Sequence, residues 1–451
     1  MISDESPPPG RRRRPFGLHL TPAMTLALAA LVLLAAGPGR AIAAGKPATV
    51  AAKFHRFSTT DKDAQMWSGL YAASNGRLYC GLCTHGDAAN LYEFDPAAGR
   101  MRPLANLTVL NEERGKGTWT NGKIHVQMQE LDGFVYFGSL SEDNGPPVID
   151  ARSYLGPRWF RASLATGKVE ALGYINTFWG ILGQAMDKPR RLIYGLAENG
   201  HLYKYYIDQD YTEDLGRVDE WDICRTIFTD DRGNVYGSLA LGRIWKYDPV
   251  KDRVFDLDHI RLPIINQSRS MANPMLDRKV QWRIIEWDPV EKVAYGIVGG
   301  SNLLFKYDPH DGPEGRVTPL VQMCSPGSRG GNPMQIPHAT LAMAISQRER
   351  RIYYLTVTSG DFDYGSVSGD TLGSAFLVSY DLKTGGRTDH GVVRTTDGRG
   401  CYGMQGMKVD AAGRVWFMGA FDEPDSKLAA GVMQGRVPYC MGLGMIDPIA
   451  K

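Results

Sequence analysis

The sequence predicts an all-β chain: a seven-bladed β-propeller of four-stranded antiparallel blades, closed by its own N-terminal strand. Three observations lead there. A turn followed by a short β run with an aromatic residue recurs seven times. A second run follows each and often ends in an aromatic or apolar residue and then Asp, frequently Asp-Pro. No stretch of the mature chain keeps a helical period, which argues against βαβ architectures.

The aromatic runs are Leu78-Tyr79, Val135-Tyr136, Ile193-Tyr194, Val235-Tyr236, Ala294-Tyr295, Ile352-Tyr353 and Val415-Trp416. Asn75-Gly76, Asp132-Gly133, Asp231-Arg232-Gly233 and Asp288-Pro289 supply turns ahead of four of them. The second runs end at Phe94-Asp95-Pro96, Tyr247-Asp248-Pro249, Tyr307-Asp308-Pro309, Tyr380-Asp381 and Ile446-Asp447-Pro448. A further turn and a fourth run complete a blade. The expected blades cover 67–108, 121–172, 178–218, 222–259, 281–322, 338–393 and 401–448. The last has no clear fourth strand. The stretch Ala51 to Ser58 is a candidate to pair with it and remove an open edge.

Residues 1–43 read as a signal peptide, with the propeller domain over 44–451. The basic run Arg11 to Arg14 precedes an apolar stretch, Ala23 to Gly37, and an A-x-A site at Ala41 to Ala43. Arg13-Arg14-Pro15-Phe16 partly matches a twin-arginine signal, and Sec export is the alternative. The expected location is periplasmic or secreted. Without the leader, 46 basic residues face 47 acidic ones, a balance that argues against nucleic acid. No later segment is long and apolar enough to span a bilayer. Six cysteines in this length do not make a disulfide framework, and they read as small buried hydrophobes. Cys80-x-x-Cys83 lacks the histidine directly after it that haem attachment requires.

In a propeller the innermost strand of each blade lines the channel. Its start shares an end of the molecule with the loops joining strands two and three. Three such loops are long, 139–157, 358–375 and 420–437, and the second holds Tyr364. The inner strands begin with Trp67, with Lys123 and His125, with Trp179, with Cys224 and Arg225, with Trp282 and Arg283, with His338, and with Tyr402 and Gln405. Each alone suits a hydrogen-bonded rim residue. Their convergence on one funnel points to a ligand site.

The repeat resembles those of YVTN, SMP-30 and quinoprotein-like propellers over essentially the whole mature chain. Lys123-Ile124-His125, followed by Asp132 to Gly138, resembles a stretch in exported propellers related to ulvan lyases. That resemblance implies seven blades and histidine, tyrosine and arginine in the channel, with His125 as the matching position. Some of those relatives carry a further histidine where this chain has Ser139 to Asn144.

Three functions fit these residues. The first is binding, with or without β-elimination, of a uronate-containing carbohydrate. Arg225 or Arg283 would neutralise the carboxylate, His125 would take the proton, and Tyr402 or His338 would protonate the leaving oxygen. Trp67, Trp179 and Trp282 would stack on sugar rings, with Lys123, Gln405 and Tyr364 as further contacts. The second is a metal-dependent enzyme holding a divalent ion on His85, His125 and His338, with His390 on an outer strand. The third is a propeller that binds a ligand or protein without catalysis. A quinone-dependent dehydrogenase ranks below these, because the tryptophan-docking repeat is missing.

Overall fold

The turn signals work through backbone conformation. Gly76 (φ 76°), Asp132 (50°), Gly133 (77°) and Gly233 (85°) all sit at positive φ, where the chain reverses within two residues. The aspartates that close the third strands act as turn caps. Asp95 Oδ1 accepts the backbone N–H of Ala97 and Ala98, and Asp248 Oδ1 accepts those of Val250 and Lys251. Asp308 and Asp381 repeat the arrangement.

The computed structural model describes residues 48–57, 65–83, 89–116, 118–142, 153–218, 224–263, 280–329, 339–358, 374–425, 431–432 and 438–449. It shows a β-propeller of four-stranded antiparallel blades, five of which stand as separate sheets. Blade 1 holds Gln65–Ala72, Leu78–Cys83, Asn90–Asp95 and Arg100–Asn106. Blade 2 holds Gln129–Leu131, Phe134–Gly138, Arg158–Ser163 and Val169–Tyr174. Blade 3 holds Ile181–Asp187, Leu192–Ala197, His201–Tyr206 and Tyr211–Arg217. Blade 4 holds Phe228–Thr229, Val235–Ser238, Ile244–Asp248 and Arg253–Leu257, and blade 5 holds Trp282–Asp288, Val293–Val298, Leu303–Asp308 and Arg316–Gln322.

The eight remaining long strands and the short strand Gly431–Val432, paired to Pro438–Ile446, form one nine-stranded sheet. One antiparallel run is Met343–Ser346, Arg351–Val357, Ala375–Asp381 and Arg387–Thr395. The other is Cys401–Val409, Val415–Asp422 and Pro438–Ile446, followed by the N-terminal strand Thr49–Arg56. That strand lies antiparallel to Pro438–Ile446, with Phe54 opposite Gly444, and its first half lies parallel to Arg387–Thr395. It fills the outer place beside the last run, where the sequence left a fourth strand missing.

The core lies between blades. All seven recurrent aromatics are at most 3% exposed. Trp159 of blade 2 stacks on Tyr205 of blade 3 with ring centroids 5.2 Å apart, and Phe228 of blade 4 stacks on Trp287 of blade 5 at 5.9 Å. Five cysteines, Cys80, Cys224, Cys324, Cys401 and Cys440, are buried free thiols.

One element departs from expectation. The inner strand of blade 2 is broken. Thr120–Lys123 pairs with Leu140–Glu142 in a separate two-stranded sheet, and the blade's first strand starts only at Gln129. The five residues between, Ile124 to Met128, hold His125.

Candidate functional site

The first strands begin at one end of the blades and finish at the hairpins of the other end. Their beginnings are bonded sideways to one another. Ser68 Oγ of blade 1 donates to the carbonyl of His125. The His125 ring reaches blade 3, with Nδ1 3.0 Å from the carbonyl of Leu182. Gly183 packs its Cα side against the carbonyl of Arg225. Trp282 Nε1 donates to the Thr226 carbonyl at 2.7 Å, and Arg283 Nε donates to the Ala339 carbonyl at 3.1 Å. Each inner strand thus hands a contact to the next.

The break in blade 2 explains how His125 joins this ring. A regular strand would spend the backbone carbonyl of residue 125 within its own sheet. Here that carbonyl is free to accept from blade 1 while the side chain crosses to blade 3. The fit depends on Gly81, because a Cβ there would come within 2.5 Å of Ile124 Cγ2.

His125 is 1% exposed. A backbone carbonyl only accepts, so the contact with Leu182 assigns the ring proton to Nδ1 and leaves Nε2 as a bare lone pair. Nε2 has no hydrogen-bond partner among the described residues. The proton affinity of the imidazole is held well below its ordinary value. Burial is the largest cause, followed by the charges of Arg225 and Lys123 and then Arg283, while the Leu182 contact acts in the opposite direction. The ring is therefore neutral at neutral pH.

Trp67 lies beside it, with ring centroids 4.8 Å apart and the planes inclined by 32°. Its indole Nε1 is also buried without a partner among the described residues. Lys123 is buried and places Nζ over the Trp67 ring, 5.2 Å from its centroid. Arg225 is half-buried and makes no hydrogen bond or ion pair with a described residue. The backbone of Gly406 packs on the Trp67 carbonyl, so the strand carrying Gln405 adjoins blade 1.

The structure thus brings together Trp67, Lys123, His125, Arg225 and Arg283 and leaves other candidates elsewhere. Trp282 is 1% exposed and packs among Phe228 and Phe305 in the core between blades 4 and 5. It cannot stack on a sugar there. The strand is irregular here: pairing passes from Trp282 opposite Val298 to Ile284 opposite Ile297 and skips Arg283, with Trp282 turned into the core and the Arg283 Nε bonded toward Ala339. Tyr402 is bonded to Asp422 and Arg394, and its hydroxyl proton is held more tightly than usual, first by burial and then by Asp422. Trp179 is exposed on the connection into blade 3 and meets Phe178 edge-on, with Trp119 and Tyr154 on the other sides of that ring. His390 bonds to Ser379 on an outer hairpin. His85, His338 and Tyr364 lie outside the described residues, as do most of the three long loops.

Sequence reasoning missed the carbonyl of Leu182, which carries no side-chain signal. It also missed Glu286 and Lys408, which form an ion pair spanning three successive inner strands, with the N–H of Ile345 donating to the same carboxylate at 3.2 Å. Charged residues late in two inner strands were the available sign. The one acid–histidine cluster near metal-binding spacing among the described residues, Asp230, Asp231 and His310, lies at the hairpins, and Lys292 Nζ stands 3.0 Å from Asp231.

No family model matches the sequence, and no curated protein matches it. Among solved structures, a chain of the nidogen/laminin complex is 15% identical with a TM-score of 0.39, covering 69% of this chain and 91% of its own. A chain of the mitotic checkpoint complex is 10% identical with a TM-score of 0.47, covering 92% and 98%. The WD40 repeats of RRP9 are 8% identical with a TM-score of 0.50, covering 87% and 99%. No helix among the described residues is long and apolar enough to cross a membrane. The likeness to RRP9 agrees with the sheets themselves: the chain is a β-propeller with WD40-like repeats.

Proposed function

We propose that this chain is an exported binding propeller for an acidic, uronate-containing carbohydrate, held at the channel end where the inner strands begin. The observation that carries this reading is the set of three cations, Lys123, Arg225 and Arg283, gathered around a neutral buried His125. Arg225 has no protein counter-charge among the described residues, which leaves it available to a ligand carboxylate. Uncharged His125 adds a hydrogen-bond acceptor without adding charge. The ring is read as seven blades, with the nine-stranded sheet counted as two. Kinship with the YVTN, SMP-30 and quinoprotein-like group, and with the ulvan-lyase-related propellers, belongs to the same proposal. So do the domain limits, 44–451 after an export leader.

Titration calorimetry of the mature protein tests this with galacturonate oligomers and neutral galactose oligomers of equal length. The acidic oligomers bind, their affinity falls with added salt, and Arg225→Ala weakens them about tenfold or more. Equal binding of both series would remove the anionic reading.

A second reading, β-elimination, is favoured by one observation. The lone pair of His125 Nε2 is fixed by the tautomer and stays unprotonated at neutral pH, as a general base requires. The ultraviolet absorbance of an unsaturated uronate, followed on the same oligomers, checks it. A rise lost in His125→Ala would make the site a lyase, and no rise would leave it a binding site.

A further inference from the structure

We infer that Trp67 and His125 form a subsite for one hydroxyl group of the bound ligand, an inference that rests on the carbohydrate reading above. The chemistry of the two buried atoms is complementary. Indole Nε1–H of Trp67 can only donate a hydrogen bond. Nε2 of His125 can only accept one, because the ring proton sits on Nδ1 against the Leu182 carbonyl. Neither atom has a partner among the described residues, and both are buried.

The rings are 4.8 Å apart between centroids. An oxygen that meets both nitrogens would take two hydrogen bonds of about 2.9 Å each, lying in the planes of the two rings. Few groups satisfy both sides. A carboxylate accepts from Trp67 but gives nothing to His125, and an ammonium does the reverse. A hydroxyl accepts from the indole and donates to the imidazole. A sugar acid therefore divides between two neighbouring subsites, with its carboxylate on the cations and a hydroxyl on the two ring nitrogens. Lys123 packs over the face of Trp67, which is itself partly exposed, so the ligand approaches past these two side chains.

Nitrogen NMR of the full mature chain tests the assignment with two anionic probes. One is a galacturonate oligomer, which carries carboxylates and hydroxyls. The other is a short polyacrylate, which carries carboxylates alone. Both are expected to shift the Arg225 Nε resonance, and the galacturonate oligomer alone to shift that of His125 Nε2. Trp67→Phe is expected to lower affinity for the galacturonate oligomer about tenfold and to leave polyacrylate binding unchanged. If both probes move Arg225 while neither moves His125 Nε2, the hydroxyl subsite is overturned, the pair holds water only, and the anion site stands. The subsite is overturned in the same way if both probes move Nε2 equally. If neither probe moves Arg225, the carbohydrate reading falls along with the subsite. The wild-type spectra decide these cases even if Trp67→Phe fails to fold.

Discussion

The two ends of the inner strands differ in how their polar groups are satisfied. At the hairpin end, four of the seven recurrent aromatics are tied to acids of the preceding turn. Tyr236 donates to Asp230 at 3.0 Å, Tyr295 to Glu291 at 2.8 Å, Tyr353 to Glu349 at 2.6 Å, and Trp416 to Asp410 at 2.8 Å. Those acids are used again: Arg350 bonds to both Glu291 and Asp288, and Arg414 to Asp410. Tyr79 instead donates to Glu93 of a later strand, and the hydroxyl of Tyr194 has no partner among the described residues. At the channel end, Trp67 Nε1 and His125 Nε2 are left unmatched among the described residues, beside three cations. A buried polar group without a partner costs stability, and the two here are the atoms on which the proposed ligand site rests. The hairpin end ties the blades together, and the channel end is where the ligand site is proposed.

Substitutions can break this contrast, beginning with the largest effect on stability. Asp230→Ala removes the acceptor for Tyr236, for the side chain of Asn234 and for the backbone N–H groups of Arg232 and Asn234. It is expected to cost about 3–4 kcal/mol in denaturant unfolding and to leave oligomer binding at room temperature unchanged. Gly81→Ala lies between the two ends in effect. Its new Cβ meets Ile124, so it is expected to cost about 1–3 kcal/mol and also to weaken binding, because Ile124 adjoins His125. Arg225→Ala is the mirror image of Asp230→Ala: stability within about 0.5 kcal/mol of wild type, measured by the same unfolding, with binding of acidic oligomers lost. A double variant showing anything but the sum of these effects would mean the two ends are coupled.

Acid sharpens the contrast with a smaller effect. The folded state holds His125 below its unfolded proton affinity, so the unfolded chain takes up the proton first. The resulting stability is complete above pH 6.5, the ordinary histidine value, and is lost as pH falls below it. His55, lowered by burial and by Lys53, and His390, lowered by burial and by Arg351, add slopes of the same sign. Urea unfolding at a series of pH values is expected to show a shallower acid decline in His125→Asn than in wild type. An unchanged slope would mean that His125 is not buried as a neutral ring.

Much of the architecture was legible because its signals are local. Asn75-Gly76 and Asp132-Gly133 declare turns through their own backbone preferences, and Asp95 and Asp248 cap turns two and three residues away. The aromatic repeat was visible for the same reason, since each blade buries the same position. The site was legible only in outline. Choosing residues by type at the strand starts found Trp67, Lys123, His125, Arg225 and Arg283. It also took in Trp282, which is buried in the core beside an irregularity in the strand that residue type does not reveal. Nor could it foresee the interruption of blade 2 around Ile124 to Met128, which depends on a sideways bond from Ser68 and a carbonyl on blade 3.

The sequence by itself determined the strands, the turns between them and the aromatic positions they bury, because these follow from interactions among residues a few places apart. Only the tertiary structure decided that the first half of the N-terminal strand also runs parallel to Arg387–Thr395, and that the His125 ring crosses from an interrupted strand to the carbonyl of Leu182. Those contacts join residues some tens to hundreds of positions apart, and a hydrogen bond to a backbone carbonyl leaves no trace in the identity of the residue that provides it.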